Sequence, residues 1–236
     1  ETGTERRLVL IDAGLSPRRT WLLLRELELG AVPLQAIVFT HLDSDHCVRS
    51  WPKFLSAETA IHLHERHRAR AKWEGLHFSG MQTFEREFEP VAGLRVEATM
   101  VPHDSLGTCA FRMTVTATGR SLGFATDVGR ATTELIDQLQ GVDVLAIESN
   151  YCPELLEHSA RPRMLKDRIS GGRGHLSNAQ SAQAVEAIGP REQVVLLHLS
   201  TQCNCPSVAL AEHRGWAERL TLSSRRERTP WIVLSE

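Results

Sequence analysis

Four side chains that commonly bind metal ions lie within six residues of one another. They follow the apolar run Ala36-Ile37-Val38-Phe39, in the segment His41-Leu42-Asp43-Ser44-Asp45-His46. Imidazole nitrogens and carboxylate oxygens are donors that suit zinc, manganese and iron. Alternate residues of such a segment point in different directions and can therefore serve two adjacent ions. The cluster predicts a two-metal site, located where a strand ends and a helix begins.

Three further apolar runs are followed by a residue of a metal-binding type. These segments are Val101-Pro102-His103-Asp104, Phe124-Ala125-Thr126-Asp127 and Leu196-Leu197-His198. Ligands of open α/β sheets usually bind at the carboxyl ends of the strands. We therefore expect these segments to complete the site that the first cluster begins.

The order of these residues resembles the metallo-β-lactamase superfamily, in which His-x-His-x-Asp-His is followed by a lone His, a bridging Asp and a final His. The resemblance extends from Asp12 to His198. It implies an α/β fold, namely a four-layer αβ/βα sandwich, and a hydrolase that uses a hydroxide bridging two divalent metal ions. The implied ligands are His41, Asp43 and His103 for one metal, Asp45, His46 and His198 for the other, and Asp127 between them.

Asp43 departs from that pattern, because it stands where the family usually has a second histidine. A carboxylate oxygen favours harder ions than an imidazole does. We expect zinc first, with manganese close behind and iron as a further candidate. A degenerate, non-catalytic module that binds one metal or none is an alternative.

Other histidines and cysteines are weaker candidates for metal binding. His62, His64 and His67 form a second histidine-rich group, which we interpret as structural because seven ligands are already assigned. Cys203 and Cys205 form a single Cys-x-Cys, which without a second pair is weak support for a zinc site.

A basic, glycine-rich segment over residues 161–175 precedes a predicted helix. Arginine forks, glycine N–H groups and the N-terminus of a helix that follows Ser177 and Asn178 are good phosphate partners. We predict that Arg168, Arg173, Ser177 and Asn178 bind substrate, although a solvated basic turn is the alternative.

The segment Gly174-His175-Leu176-Ser177-Asn178, with Glu148-Ser149-Asn150 and His198-Leu199-Ser200, resembles a narrower branch of the superfamily. This is the small single-domain branch called YycJ or WalJ in bacteria. It implies a phosphodiesterase or 5′-exonuclease that acts on nucleic acid. In that reaction we expect Asp45 to orient the hydroxide and His175 to protonate the leaving oxygen or grip the phosphate, although a structural role suits His175 equally well.

A carbonyl hydrolase (a lactonase, thioesterase or β-lactamase) on the same site is the alternative to a nuclease. The net charge of −2 excludes a global positive field for binding nucleic acid, so an anionic substrate must be held locally. Asp127 and His198 are 71 positions apart, which leaves no room for a separate nucleic-acid clamp.

Five scattered cysteines indicate a reducing, cytoplasmic location, and no apolar run reaches the roughly 20 residues of a membrane span. We find no linker, and expect one domain over residues 1–236. The first residue is Glu1 rather than Met, and residues 7–12 resemble a second strand. We therefore expect that an N-terminal strand is missing.

The elements that position these residues are predicted from periodicity and from helix and turn signals. Strands are expected at 8–11, 36–39, 60–64, 94–101, 109–117, 121–125, 143–147, 193–197 and 231–234. Helices are expected at 17–29, 132–139, 178–188 and 207–219.

Overall fold

The structure is a computed structural model that describes residues 6–234. The chain forms two compact units, which are divided after Arg95. Whether residues 1–236 behave as one domain stays a prediction. Glu1, on which the expectation of a missing strand rests, lies outside the described residues. No helix among residues 6–234 is long and apolar enough to cross a membrane.

The first unit contains a parallel sheet in the order β1-β2-β3-β4. The core of this unit contains Ile37 on the second strand, Phe39 directly after that strand, Leu63 on the third strand and Trp51 in a short 3-10 turn. The bounds of its elements are β1 Leu8–Ile11, α1 Pro17–Glu26, β2 Leu34–Val38, β3 Ala60–His64, α2 Arg68–Trp73, β4 Met81–Phe84 and β5 Glu87–Val91.

Helix α1 begins at the predicted residue and ends three residues early. The Ser16 hydroxyl accepts a hydrogen bond from the backbone N–H of Arg19, and Pro17 occupies the first turn. The prediction that the helix continues to Leu29 is wrong. Glu28 adopts a left-handed conformation with φ of 60°, which ends the helix before Gly30.

The expectation that a helix begins at the His41 to His46 segment is also wrong. This segment forms turns because its backbone pairs with Ala13: the Ala13 N–H donates to the His46 carbonyl, and the Val48 N–H donates to the Ala13 carbonyl. A 3-10 turn at Trp51–Lys53 follows instead.

In the second unit the strands lie in the order β11-β10-β9-β8-β7-β6. Strands β8 to β11 run parallel to one another, and β7 pairs with β8 as an antiparallel hairpin. The bounds are β6 Leu94–Val101, β7 Thr108–Val115, β8 Ser121–Ala125, α3 Thr133–Leu139, β9 Val144–Glu148, α4 Pro153–His158, α5 Arg163–Ser170, α6 Asn178–Ile188, β10 Gln193–Leu197, α7 Pro206–Glu212 and β11 Leu220–Leu222.

The C-terminal end differs from the prediction in two respects. The helix expected over 207–219 ends at Glu212, and a 3-10 turn over Arg214–Arg219 replaces its second half. The strand expected at 231–234 is not formed, since these residues have no regular secondary structure. Leu220–Leu222 occupies the edge of β10 instead, and so becomes the last strand.

Candidate metal centre

In the first unit, the carboxylate of Asp12 orders the beginning of the metal-binding motif. Strands β1 and β2 are parallel and end side by side, which brings Asp12 next to Thr40. Asp12 Oδ1 accepts from the Thr40 N–H at 2.8 Å, while Oδ2 accepts from the Thr40 hydroxyl at 2.8 Å and binds His46 Nδ1 at 2.7 Å. No role was predicted for this carboxylate from the sequence.

These contacts fix the orientation of both histidines of the motif. The only hydroxyl proton of Thr40 is donated to Asp12, so Thr40 Oγ1 accepts from His41 Nδ1, which lies 3.0 Å away. His46 Nδ1 likewise faces a carboxylate. Histidines that bind metals usually donate their other ring N–H to such a partner. Nε2 is therefore the atom through which either ring would bind a metal.

The two aspartates of the motif have different surroundings. Asp43 is partly buried, and its Oδ2 lies 3.6 Å from His41 Nε2. Its pKa lies well below the usual range, because the interactions with His41 and then with Arg70 outweigh the opposing effect of burial. The Asp45 side chain is 59% exposed, and its Oδ2 lies 3.9 Å from His46 Nε2.

Gly14 allows the backbone to pass close to the motif. A Cβ atom at this position would lie 1.7 Å from the backbone oxygen of Asp45. No side chain fits there, so the Asp12-Ala13-Gly14 segment can approach the motif only with glycine at its third position.

The second unit holds a compact group of four side chains. Asp127, Glu148, His175 and His198 each offer one potential ligand atom, and these atoms all lie within 4.8 Å of one another. Three of the residues come from the carboxyl ends of the adjacent parallel strands β8, β9 and β10. Asp127 Oδ1 lies 3.4 Å from His198 Nδ1 and 3.6 Å from His175 Nδ1.

Glu148 is the centre of this group, although no role was predicted for it from the sequence. Its fully buried Oε1 binds the Nδ1 atoms of His175 at 2.8 Å and His198 at 2.9 Å. Oε2 accepts from the backbone N–H groups of Val128 at 2.8 Å and Leu176 at 3.3 Å. Burial by itself raises the pKa of Glu148, but the bonds from the two imidazoles outweigh it and hold the pKa below its ordinary value.

His103 is also oriented through its Nδ1 atom, but its partner is a backbone carbonyl group. Its Nδ1 lies 3.0 Å from the carbonyl oxygen of Gly174, which can only accept, so Nδ1 carries the proton. The other ring nitrogen, Nε2, lies 3.8 Å from Asp127 Oδ1. An imidazole nitrogen that carries a lone pair beside a buried carboxylate fits a divalent cation.

Asp127 and His198 both adopt left-handed backbone conformations, with φ of 54° and 56°. Such conformations cost non-glycine residues about 1 kcal/mol or more, and they are concentrated at functional sites. The strain is consistent with two side chains held in position for a ligand.

The predicted substrate residues have partners within the second unit. Arg168 binds both carboxylate oxygens of Asp104, through Nε at 3.0 Å and through Nη2. Ser177 caps α6, because its hydroxyl accepts a hydrogen bond from the Gln180 N–H. Of the other two predicted substrate residues, Arg173 is exposed to solvent. Asn178 is buried and forms hydrogen bonds with Ser149 and Asn204.

The weaker metal candidates do not join any group of three ligand side chains among residues 6–234. His62 is buried and stacks on Phe88, and His67 is buried as well. Cys203 is buried, and Cys205 is partly exposed. The interpretation of these residues as structural is consistent with this placement.

A protein-family model described as the β-lactamase superfamily domain matches residues 7–199. The chain belongs to this superfamily. It is 25% identical over 217 residues to the exodeoxyribonuclease YycJ of Bacillus anthracis, an alignment that covers 88% of this chain and 80% of that protein. The superfamily assignment and the resemblance to the YycJ and WalJ branch are thereby confirmed.

Solved structures confirm the predicted metallo-β-lactamase fold for this superfamily member. A diphosphatase of the PhnP family superposes with a TM-score of 0.63 at 18% identity, over 92% of this chain and 76% of that chain. Zinc-bound PqqB from Methylobacterium extorquens superposes with a TM-score of 0.66 at 16% identity, over 93% of this chain and 81% of that chain. The protein is a metal-dependent hydrolase of this fold.

Proposed function

We propose that the protein is a two-metal phosphodiesterase that acts on nucleic acid as a 5′-exonuclease-like nuclease. The observation that carries the proposal is the group around Glu148, in which one buried carboxylate binds Nδ1 of both His175 and His198 beside Asp127. This pattern of ligand and supporting carboxylate is typical of metal sites. The similarity to an exodeoxyribonuclease supports nucleic acid as the substrate class.

The metal ligands that we propose are those selected by the sequence pattern: His41, Asp43, Asp45, His46, His103, Asp127 and His198. When bound by these residues, two divalent ions would supply activation of water for attack and stabilisation of the charge on the attacked phosphate. We propose zinc as the metal, with manganese or iron as alternatives, because imidazoles suit zinc while Asp43 adds a harder oxygen donor. Asp45 is proposed to orient the attacking water as well.

His175 is proposed as the general acid. Its side chain is 20% exposed, and its Nδ1 donates to Glu148. Burial by itself lowers the pKa of His175, but the hydrogen bond and the charge of Glu148 outweigh it, so that the pKa lies above its ordinary value. The ring therefore retains a proton on Nε2 closer to neutral pH, and can donate it to the leaving oxygen.

Phosphate binding is proposed for Arg168, near the end of α5, and for Arg173, in the segment after it, with Ser177 and Asn178 at the start of α6 as further substrate-binding residues. A shallow cleft of about 500 Å³ in the second unit is lined by both arginines together with Asp104. Because Arg168 is already paired with Asp104, a phosphate would bind it by replacing that carboxylate. Local basic groups of this kind suit a chain whose net charge is −2.

The role of His175 can be tested with two phosphodiesters that differ in leaving group. Nitrophenolate leaves without a proton, whereas the sugar oxygen of DNA needs one. His175→Ala should therefore lower turnover of 5′-phosphorylated DNA by about 100-fold or more, and turnover of bis(p-nitrophenyl) phosphate far less. The matched control is His158→Ala, which changes an exposed histidine of α4.

Two results would contradict parts of this proposal. Equal losses on both substrates, together with loss of bound metal, would make His175 a ligand rather than an acid. Metal-loaded protein that hydrolyses nitrocefin or an acyl lactone faster than either phosphodiester would contradict the phosphodiesterase assignment.

A cytoplasmic location is also proposed. All five cysteines are free thiols in the structure, which suits a reducing compartment. Labelling the thiols of protein isolated without reductant tests this, because oxidised cysteines would resist the label.

A further inference from the structure

Asp43 stands where the superfamily pattern has a histidine, and in the first unit Arg70 binds it. Arg70 Nη1 donates to Asp43 Oδ1 at 2.7 Å, and Nη2 donates to the backbone carbonyl of Leu42 at 3.2 Å. The guanidinium therefore contacts the motif at two adjacent points, one of which is the substituted ligand.

Arg70 is itself held in place from the opposite side. Its Nε donates at 2.7 Å to Oε1 of Glu74, whose side chain is only 7% exposed. The helix that carries Arg70, α2, is anchored by Ala71, which is fully buried. A planar guanidinium bound along three directions has little freedom to rotate, so its contact with Asp43 is fixed by the fold of this unit.

The consequence for Asp43 is that its two oxygens are not equivalent. Oδ1 accepts from Arg70, whereas Oδ2 lies 3.6 Å from His41 Nε2, the ring nitrogen proposed to bind a metal. A carboxylate held in this way presents one oxygen to a cation, as an imidazole presents one nitrogen. The guanidinium also offsets part of the negative charge that the change from histidine to aspartate introduces.

We propose that Arg70 is a positioning residue that determines metal specificity. Its hydrogen bond occupies one oxygen of Asp43 and leaves the other oxygen to bind the metal. In this way an aspartate can replace a histidine in a zinc site. Zinc accepts few ligands, whereas larger cations gain from a carboxylate that binds through both oxygens. Without Arg70, Asp43 can chelate through both oxygens, and the site shifts toward manganese. This inference rests on the proposed metal site.

The test compares metal preference in variants at positions 43 and 70. Metal-free protein is dialysed against equal concentrations of zinc and manganese, and the bound metals are measured by mass spectrometry. Arg70→Gln should lower the zinc-to-manganese ratio about tenfold. The matched control is Arg49→Gln, because Arg49 is an exposed arginine of the same unit that contacts Glu74 at 3.4 Å.

The substituted position provides the decisive comparison. In an Asp43→His background, Arg70→Gln should change the ratio by less than about twofold, because an imidazole needs no arginine to present one donor atom. Because Arg70→Gln removes the cation that lies 2.7 Å from the buried Glu74 carboxylate, Arg70→Gln/Glu74→Gln is measured as well. This variant keeps the local charge balanced, and should show the same shift with less loss of stability.

Three results would overturn the inference. They are a ratio for Arg70→Gln equal to that of Arg49→Gln, a shift that persists in the Asp43→His background, and wild-type protein that binds neither metal. Failure of the proposed function is a different result. A protein that shows the predicted metal preference but cleaves no phosphodiester would contradict the nuclease assignment and leave the role of Arg70 intact.

Discussion

Replacement of Glu148 by glutamine keeps the shape of the side chain and removes its charge. In the second unit this carboxylate accepts four hydrogen bonds, two from imidazole Nδ1 atoms and two from backbone N–H groups. A glutamine has one accepting oxygen and one donating NH₂ group. Whichever way the amide turns, its NH₂ group faces two donors.

Two consequences follow from the two orientations of the amide. If the NH₂ group faces the backbone, Val128 and Leu176 lose their acceptor in a buried place. If it faces the imidazoles, His198 must accept at Nδ1 and carry its proton on Nε2, which removes the Nε2 lone pair that a metal would bind. Losing two bonds to a buried charge, at about 1.5–3 kcal/mol each, should lower the free energy of unfolding by about 3–6 kcal/mol.

The affinity for metal should fall about 10–100-fold, as is usual when the partner of a metal-binding histidine is removed. The assays are urea unfolding of the metal-free protein and competition with a chromophoric chelator for zinc. Glu192→Gln is the matched control, because this carboxylate pairs with Arg120 near the surface. Zinc affinity in Glu148→Gln within about twofold of wild type would refute the reasoning.

Two further predictions concern the first unit. Burial lowers the pKa values of His62 and His67 from 6.5 to about 4, so the unfolded chain binds more protons between these values and stability is lost as the pH falls through this range. When the pH is lowered from about 8 to 5, the free energy of unfolding should therefore decrease by about 4 kcal/mol more in wild type than in the double variant His62→Phe/His67→Leu. Equal decreases in the free energy of unfolding of the two proteins would contradict this prediction. Gly14→Ala should destabilise the protein by about 1–3 kcal/mol, measured by thermal unfolding. The control is Gly215→Ala, because a Cβ atom at Gly215 meets nothing within 4 Å. Equal melting temperatures of the two variants would contradict the close approach of the backbone at Gly14.

Much of the candidate site could be predicted from local sequence patterns. Asp127 and His198 each follow a short apolar run, and each lies just beyond the carboxyl end of a strand. The first motif was found because its four ligand types lie within six residues. Assignment of these residues as metal ligands stays a prediction, but the sequence signal was sufficient to select side chains that lie together within each unit.

The supporting residues were missed for different reasons. Glu148 ends the buried run Val144-Leu145-Ala146-Ile147, the same pattern that selected Asp127, so its signal was present. Asp12 follows β1 in the same way. Arg70 had no such signal, because its contact with Asp43 joins residues 27 positions apart and depends on how α2 packs.

The errors in secondary structure arose where pairing between distant segments overrode local preference. The motif around His41 forms a turn, in which the N–H groups of His46 and Cys47 bond to the Asp43 carbonyl, and it does not continue as a helix because its backbone also bonds to Ala13. Residues 231–234 have the apolar composition of a strand, but β11 already occupies the edge of β10. Neither of these pairings between distant segments can be predicted from a short window of sequence.

The most direct test of the proposed function is the metal dependence of DNA hydrolysis in wild type and in Asp127→Asn. Both proteins are stripped of metal, reloaded with zinc or manganese, and assayed on 5′-phosphorylated DNA, with Asp137→Asn, an exposed aspartate of α3, as the control. We predict that hydrolysis returns with metal in wild type and in the control, and that Asp127→Asn stays inactive with less metal bound. Hydrolysis that survives chelation, or equal activity in Asp127→Asn, would contradict the proposal.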